Sequence, residues 1–139
     1  MDNLIVNIHR TNQKVHFEAI SDRNPGRVIP FDYAPPVGDG DGFAGLELLL
    51  ASFAGCVSTT IVFLLGRMGK QVSSYDARAE GVRSERPLAL REIHLHLRLR
   101  SEGLTDAGMA EAIRQAEAVS PVWQAVKGNL AVTVTYELQ

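Results

Sequence analysis

The sequence predicts an α+β layer fold, and three stretches carry that prediction. REIHLHLRLR, residues 91–100, alternates strictly, with Ile93, Leu95, Leu97 and Leu99 on one face and Glu92, His94, His96, Arg98 and Arg100 on the other. LAVTVTYEL, residues 130–138, repeats the period with Leu130, Val132, Val134, Tyr136 and Leu138. Ahead of both lies a run from Leu48 to Gly66 that holds no charged residue. Strands joined as hairpins and apolar on one side, with helices between them, imply an antiparallel sheet with helices on one face.

Taken in order, Leu4, Val6 and Ile8 alternate with polar neighbours, RTNQ turns the chain, and Val15, Phe17 and Ala19 alternate again, a first hairpin. A third strand, RVIPFD, is expected after an Asn24-Pro25-Gly26 turn. Residues 34–44, APPVGDGDGFA, have no apolar period and read as a loop. The apolar helix is expected from Leu46 to about Gly69. Residues 72–83 read as extended, with Glu85-Arg86-Pro87 turning the chain into the alternating strand. A second helix is expected from an N-cap at Thr105, with Met109, Ala112, Ile113, Ala116 and Val119 along one face. It stops at Ser120, because Pro121 disfavours helical geometry in the residue before it. The expected order is β-β-β-α-β-β-α-β.

At 139 residues the chain is one domain's worth of sequence, residues 1–139, long enough to bury a core without disulfides or metals. Its 45% hydrophobic and 22% charged content are those of a globular protein, and a net charge of −2 points to neither nucleic acid nor an anionic membrane as partner. A single cysteine, Cys56, forms no internal bridge. The start, MDNLIVNIHR, lacks a basic n-region, an apolar h-region and a cleavage site, so a reducing cytoplasm is the expected address.

The uncharged run is near the length of a membrane span. Ser52, Ser58, Thr59 and Thr60 lower its apolarity, and a span would place two halves of one sheet on opposite sides of a bilayer, so a buried helix is expected. That helix would be about 36 Å long at ~1.5 Å per residue. One small sheet covers one side of such a rod, whereas this one is apolar all round. A second copy of the chain is the simplest cover, with Ala51, Ser52, Ala54 and Gly55 permitting close approach in a homodimer.

A Gly/Pro-rich loop, a Glu-Leu-Leu-Leu-Ala-x-x-x-Gly-Cys helix over Glu47–Cys56, an extended pair, a second helix and a Pro-Val turn together resemble the OsmC/Ohr family of peroxide-stress proteins, in particular its OsmC-like branch. The resemblance covers nearly the whole chain. It implies an OsmC-like fold in which antiparallel sheets wrap around two central helices in an intertwined homodimer, with the site at the subunit interface. It also implies reduction of organic hydroperoxides by a peroxidatic cysteine, resolved by a second cysteine and polarised by an arginine and a glutamate, with thiols as reductant and no cofactor. Cys56 falls on the first cysteine. The second position, Cys-Pro-Val in the peroxidases, reads Ser120-Pro121-Val122, so a disulfide cannot form within one chain. The glutamate position is occupied by Leu46, with Glu47 one step, about 100°, further round the helix. Arg10, in the first hairpin turn, matches the family arginine best, ahead of Arg23 and Arg27.

Each candidate also has a plainer reading. Cys56 is either a small apolar filler or a thiol that needs a cation brought to it, since a mid-helix position gains little from the helix dipole. Ser52 and Thr60, at i−4 and i+4, share its face and either bond an oxidised sulfur or bond back to helix carbonyls. Glu47 is either catalytic or a favourable charge at the helix start. Arg10 is either functional or a solvated turn residue. Phe53 and Trp123 read as core or interface, with Trp123 and Ser120 candidates to line a substrate pocket. His94 and His96 share a strand face but lack a further ligand set, so no metal is expected. His9 and His16 form no recognisable site, and GDGDG at 38–42 lacks both the P-loop and EF-hand patterns. Two functions follow: a one-cysteine peroxidase that takes a small hydrophobic peroxide and an external thiol, or a non-catalytic module that binds a small hydrophobic ligand at the dimer interface.

Overall fold

The computed structural model describes residues Met1–Gln139 as α+β, in the order β1 (Val6–Arg10), β2 (Phe17–Ser21), β3 (Asn24–Phe31), α1 (Gly45–Arg67), β4 (Val72–Glu85), β5 (Leu88–Ser101), α2 (Asp106–Val119), α3 (Pro121–Val126) and β6 (Ala131–Leu138). Two compact units divide it, Met1–Leu48 and Leu49–Gln139, with the boundary in the first turn of α1.

In the first unit, β1, β2 and β3 form an antiparallel meander. The second turn is Asp22-Arg23 and not the expected Asn24-Pro25-Gly26, which belongs to β3. Pro25 is accommodated there because β3 is an edge strand, where a missing N–H leaves no ladder bond unmade. Burial in this unit is slight. Ala19 is its one buried apolar residue, and Leu4, Ile5, Val6, Ile8, Val28 and Ile29 are all exposed.

In the second unit, β4 pairs antiparallel with β5, and β6 pairs parallel with β5. The parallel pair departs from the all-antiparallel sheet expected from alternation. Residues 102–130 carry the chain through α2 and α3 back to the starting end of β5, and such a helical crossover delivers a strand parallel to its predecessor. Ile93, Leu95, Leu97 and Leu99 are all buried, as the alternation requires. Thr105 caps α2 by accepting the Gly108 N–H at 3.1 Å. Met109, Ala112 and Ala116 are buried, but Val119, placed on the same face by its spacing, is exposed at the last turn. Pro121 both ends α2 and opens α3, a short helix unread in the sequence, since proline is disfavoured inside helices but suits the first position of a new one.

α1 is long and apolar enough to cross a membrane. The sheets before and after it are separate, so the expectation that a span would split one sheet does not hold. Contacts along the helix make the case instead. Phe53, Val57, Ile61 and Leu65, an i,i+4 stripe, are wholly buried, and Leu50 sits over Gly81 of β4. The remaining faces are open: Ala51, Ser52, Gly55 and Thr59 are exposed, Val62 is 40% exposed and Phe63 62%.

Candidate functional site

The first turn of α1 is fixed by Glu47, whose Oε1 accepts the Ala44 N–H at 2.8 Å, as an acidic residue at the third helical position commonly does. The helix carries Cys56 beside its buried stripe, half-buried. Ser120 meets it from the other side. Because Pro121 forces an extended residue between α2 and α3, Ser120 adopts φ −70°, ψ 119° and closes α2 with its own N–H on Ala116 O. Its side chain, wholly buried, makes no cap bond to α3 and stands with its hydroxyl 3.3 Å from the Cys56 sulfur.

A second contact steadies that pair. The Phe53 ring, one turn before Cys56, meets the Trp123 ring, one turn after Ser120, edge-to-face at 5.6 Å between centroids. Phe53 is fully buried and Trp123 5% exposed, so both belong to the core that fixes α3 against α1. Thr60 Oγ1 donates to Cys56 O at 2.9 Å, and Thr59 Oγ1 to Gly55 O at 2.8 Å, each the i−4 back-bond open to a helical threonine. Ser52 is exposed on the Cys56 side of α1.

In the first unit, Arg10 is the last residue of β1, and its guanidinium donates to the carbonyls of Lys14, at 2.7 Å from Nε, and of Gln13. It therefore closes the hairpin turn. Arg23 and Arg27 are exposed. On the outer face of β5, His94 Nε2 lies 2.9 Å from Glu92, and His96 lies 2.7 Å from Thr135 Oγ1 and 3.5 Å from Glu137. These imidazoles are engaged in the polar sheet face.

One residue escaped the sequence reading. Asp32, directly after β3, is covered by its own loop and accepts three backbone N–H bonds, from Tyr33, Asp39 and Asp41. The bonds hold its carboxyl below the usual carboxylate range, that from Asp41 foremost. The available signal was an aspartate ahead of closely spaced glycines, whose unobstructed backbone can turn several N–H groups onto one acceptor.

The family model described as OsmC-like protein matches residues 38–135. No curated protein is detectably similar in sequence. Among solved structures, an OsmC-like protein from Mycoplasma pneumoniae superposes with a TM-score of 0.84 at 24% identity, covering 99% of this chain and 97% of that one. An OsmC-like protein of unknown function from Vibrio cholerae gives 0.80 at 12% identity over 100% of both chains. An organic hydroperoxide resistance protein from Elizabethkingia anophelis gives 0.75 at 17% identity, over 100% and 98%.

Proposed function

The chain belongs to the family of OsmC-like proteins, and from that premise we propose that it reduces organic hydroperoxides with one cysteine, Cys56, and an external thiol. The observation that carries this reading is the approach of the Ser120 hydroxyl to the Cys56 sulfur at 3.3 Å. A hydroxyl occupies the position from which a second thiol would resolve the first, and the pairing survives without the disulfide.

In the proposed cycle the Cys56 thiolate attacks the distal peroxide oxygen, the O–O bond breaks, and the alkoxide leaves as alcohol on taking a proton. The sulfur, oxidised by two electrons, is left as sulfenic acid. An external thiolate then attacks that sulfur and displaces hydroxide, which leaves as water on taking a proton, forming a mixed disulfide. A second thiolate attacks the external sulfur, releasing the Cys56 thiolate and a symmetrical disulfide. Ser120 hydrogen-bonds the sulfur, Phe53 and Trp123 hold the two helices together behind it, and Ser52 and Thr60 flank it along α1. Arg10 is the proposed stabilising cation. Glu47 serves by fixing the first turn of α1.

We propose further that residues 1–139 act as one OsmC-like domain in a cytoplasmic homodimer. The support is apolar surface that one chain leaves bare, on β1–β3 and on the Val62–Phe63 side of α1.

A second reading, a non-catalytic module binding a small hydrophobic ligand, draws on one observation. The Arg10 guanidinium and the Glu47 carboxylate are both bonded to backbone. The experiment that separates the two mixes protein with cumene hydroperoxide and excess dithiothreitol, and repeats it with Cys56→Ser. The expected outcome is peroxide loss that depends on Cys56, with a dimedone adduct on that residue after peroxide alone. Equal consumption by both proteins refutes the catalytic reading.

A further inference from the structure

The segment from Asp32 to Phe43 is built around one carboxylate. Asp32, 5% exposed, accepts the Tyr33 N–H on Oδ1 at 2.8 Å, and the Asp39 and Asp41 N–H groups on Oδ2 at 3.2 and 3.0 Å. The ends of the segment are tied by Asp32 N–H to Phe43 O at 3.1 Å and Phe43 N–H to Pro30 O at 3.0 Å. Two glycines permit the wrap. A Cβ at position 38 would collide with Asp32 Oδ1 and Tyr33 O, and one at position 42 would lie 2.8 Å from Pro30 O. No other residue type fits either place.

Two side-chain contacts then join this loop to the β1–β2 turn. Lys14 Nζ lies 2.6 Å from Asp39 Oδ1. His16 Nε2 lies 3.1 Å from Asp41 O and 3.7 Å from its carboxylate. Since a carbonyl oxygen only accepts, Nε2 carries the proton, and His16 Nδ1 accepts from the Thr11 hydroxyl. Within the turn, Asn12 Oδ1 accepts the N–H groups of Lys14 and His16 at 2.9 and 3.1 Å, and Arg10 closes on Lys14 O.

We propose that residues 32–43 form a strap buckled by Asp32, that the strap positions the β1–β2 turn through Lys14 and His16, and that Asp32 is thereby a positioning residue for Arg10. The titratable groups facing the buckle are Lys14 and His16 from the hairpin and Asp39 and Asp41 from the strap itself. The depressed carboxyl pKa of Asp32 agrees with a buckle that requires the ionised form. The structural part stands alone, whereas its consequence for Cys56 rests on the function proposed above.

The test is amide hydrogen exchange on the full chain and on Asp32→Asn. An amide side chain keeps one acceptor oxygen and turns an NH₂ toward the remaining donors, so the buckle opens. The expected result is at least a tenfold loss of protection at Thr11, Lys14 and His16 as well as at Tyr33, Asp39 and Asp41, with β4–β6 unchanged. Loss confined to 33–43 overturns the proposal. Should Asp32→Asn unfold the chain, Asp39→Ala removes the Lys14 contact while leaving the buckle and the His16 contact, and unchanged protection of the Lys14 amide in that variant overturns positioning through Lys14. Alkylation of Cys56 by iodoacetamide reads the coupling to Arg10: Asp32→Asn and Arg10→Met each slow it, and the double variant is no slower than Arg10→Met. Additive losses count against positioning through Arg10. Because neither readout uses peroxide, an inactive wild type would remove the proposed function and leave the strap to be decided by exchange.

Discussion

Ser120 stands between two helices with its hydroxyl turned away from the backbone it would ordinarily cap. A serine before a helix commonly accepts an N–H from the first turn, a bond worth about 1 kcal/mol. Here α3 has no side-chain cap, and the buried hydroxyl meets the Cys56 sulfur. That choice makes Ser120→Cys an informative substitution. Two sulfurs bond at about 2.05 Å, and the side chains already touch at 3.3 Å. Treated with one equivalent of peroxide, Ser120→Cys is expected to form a disulfide between Cys56 and the introduced thiol of the same chain, seen as a mass lower by two hydrogens and resistance to alkylation. A persistent dimedone adduct on Cys56 in that variant would mean the two side chains do not reach each other during oxidation.

At the scale of elements, α1 and β4 meet imperfectly. The hydroxyls of Ser58 on α1 and Tyr75 on β4 are both buried and face each other closely enough to interact, but neither makes a hydrogen bond of ordinary geometry. Ser58 is near enough to bear on the Tyr75 ionisation, but burial is the larger influence and raises the Tyr75 pKa. Removing an unsatisfied hydroxyl while keeping the ring relieves a desolvation cost, so Tyr75→Phe is expected to raise unfolding stability by about 1 kcal/mol in urea titrations at pH 7. The alkaline side gives the sign of the linkage. The unfolded tyrosine loses its proton first, near pH 10, so wild-type stability falls as pH rises above that point, and Tyr75→Phe is expected to lose less there. An equal alkaline loss in both proteins would remove Tyr75 as its source. These elements were legible to different depths. The alternation of β5 marked its buried face residue by residue, and the spacing of α2 located Met109, Ala112 and Ala116. Alternation carries no direction, so the parallel pairing of β6 was not readable from it. Pro121 was read as a stop, because a proline signals the end of one helix and the start of another with the same residue. The pairing of Cys56 with Ser120 was visible through the family pattern alone, while the wrap around Asp32 depends on backbone N–H groups that leave no side-chain signature.

At the scale of the molecule, α1 poses a question its own chain does not answer. Four residues of its inner stripe are fully buried, yet Val62 and Phe63 face outward, and the apolar residues of β1 and β3 are likewise bare. In the proposed homodimer a second α1 covers this face. Phe63 distinguishes the possibilities because its present surroundings predict the opposite outcome from the proposed ones. In one chain its ring lies 6.0 Å from the Arg67 guanidinium. Phe63→Glu would place a carboxylate one turn before that arginine, an i,i+4 pair worth about 0.2–0.5 kcal/mol to an exposed helix. A monomer should therefore tolerate the change or gain slightly. A dimer that buries the position would have to desolvate a carboxylate, which costs several kcal/mol when it is not compensated. Sedimentation at micromolar concentration is expected to show a dimer for the wild type and a monomer or an unfolded chain for Phe63→Glu. A folded wild-type monomer, or a variant that remains dimeric with unchanged stability, would show that this face of α1 is not where the two copies meet.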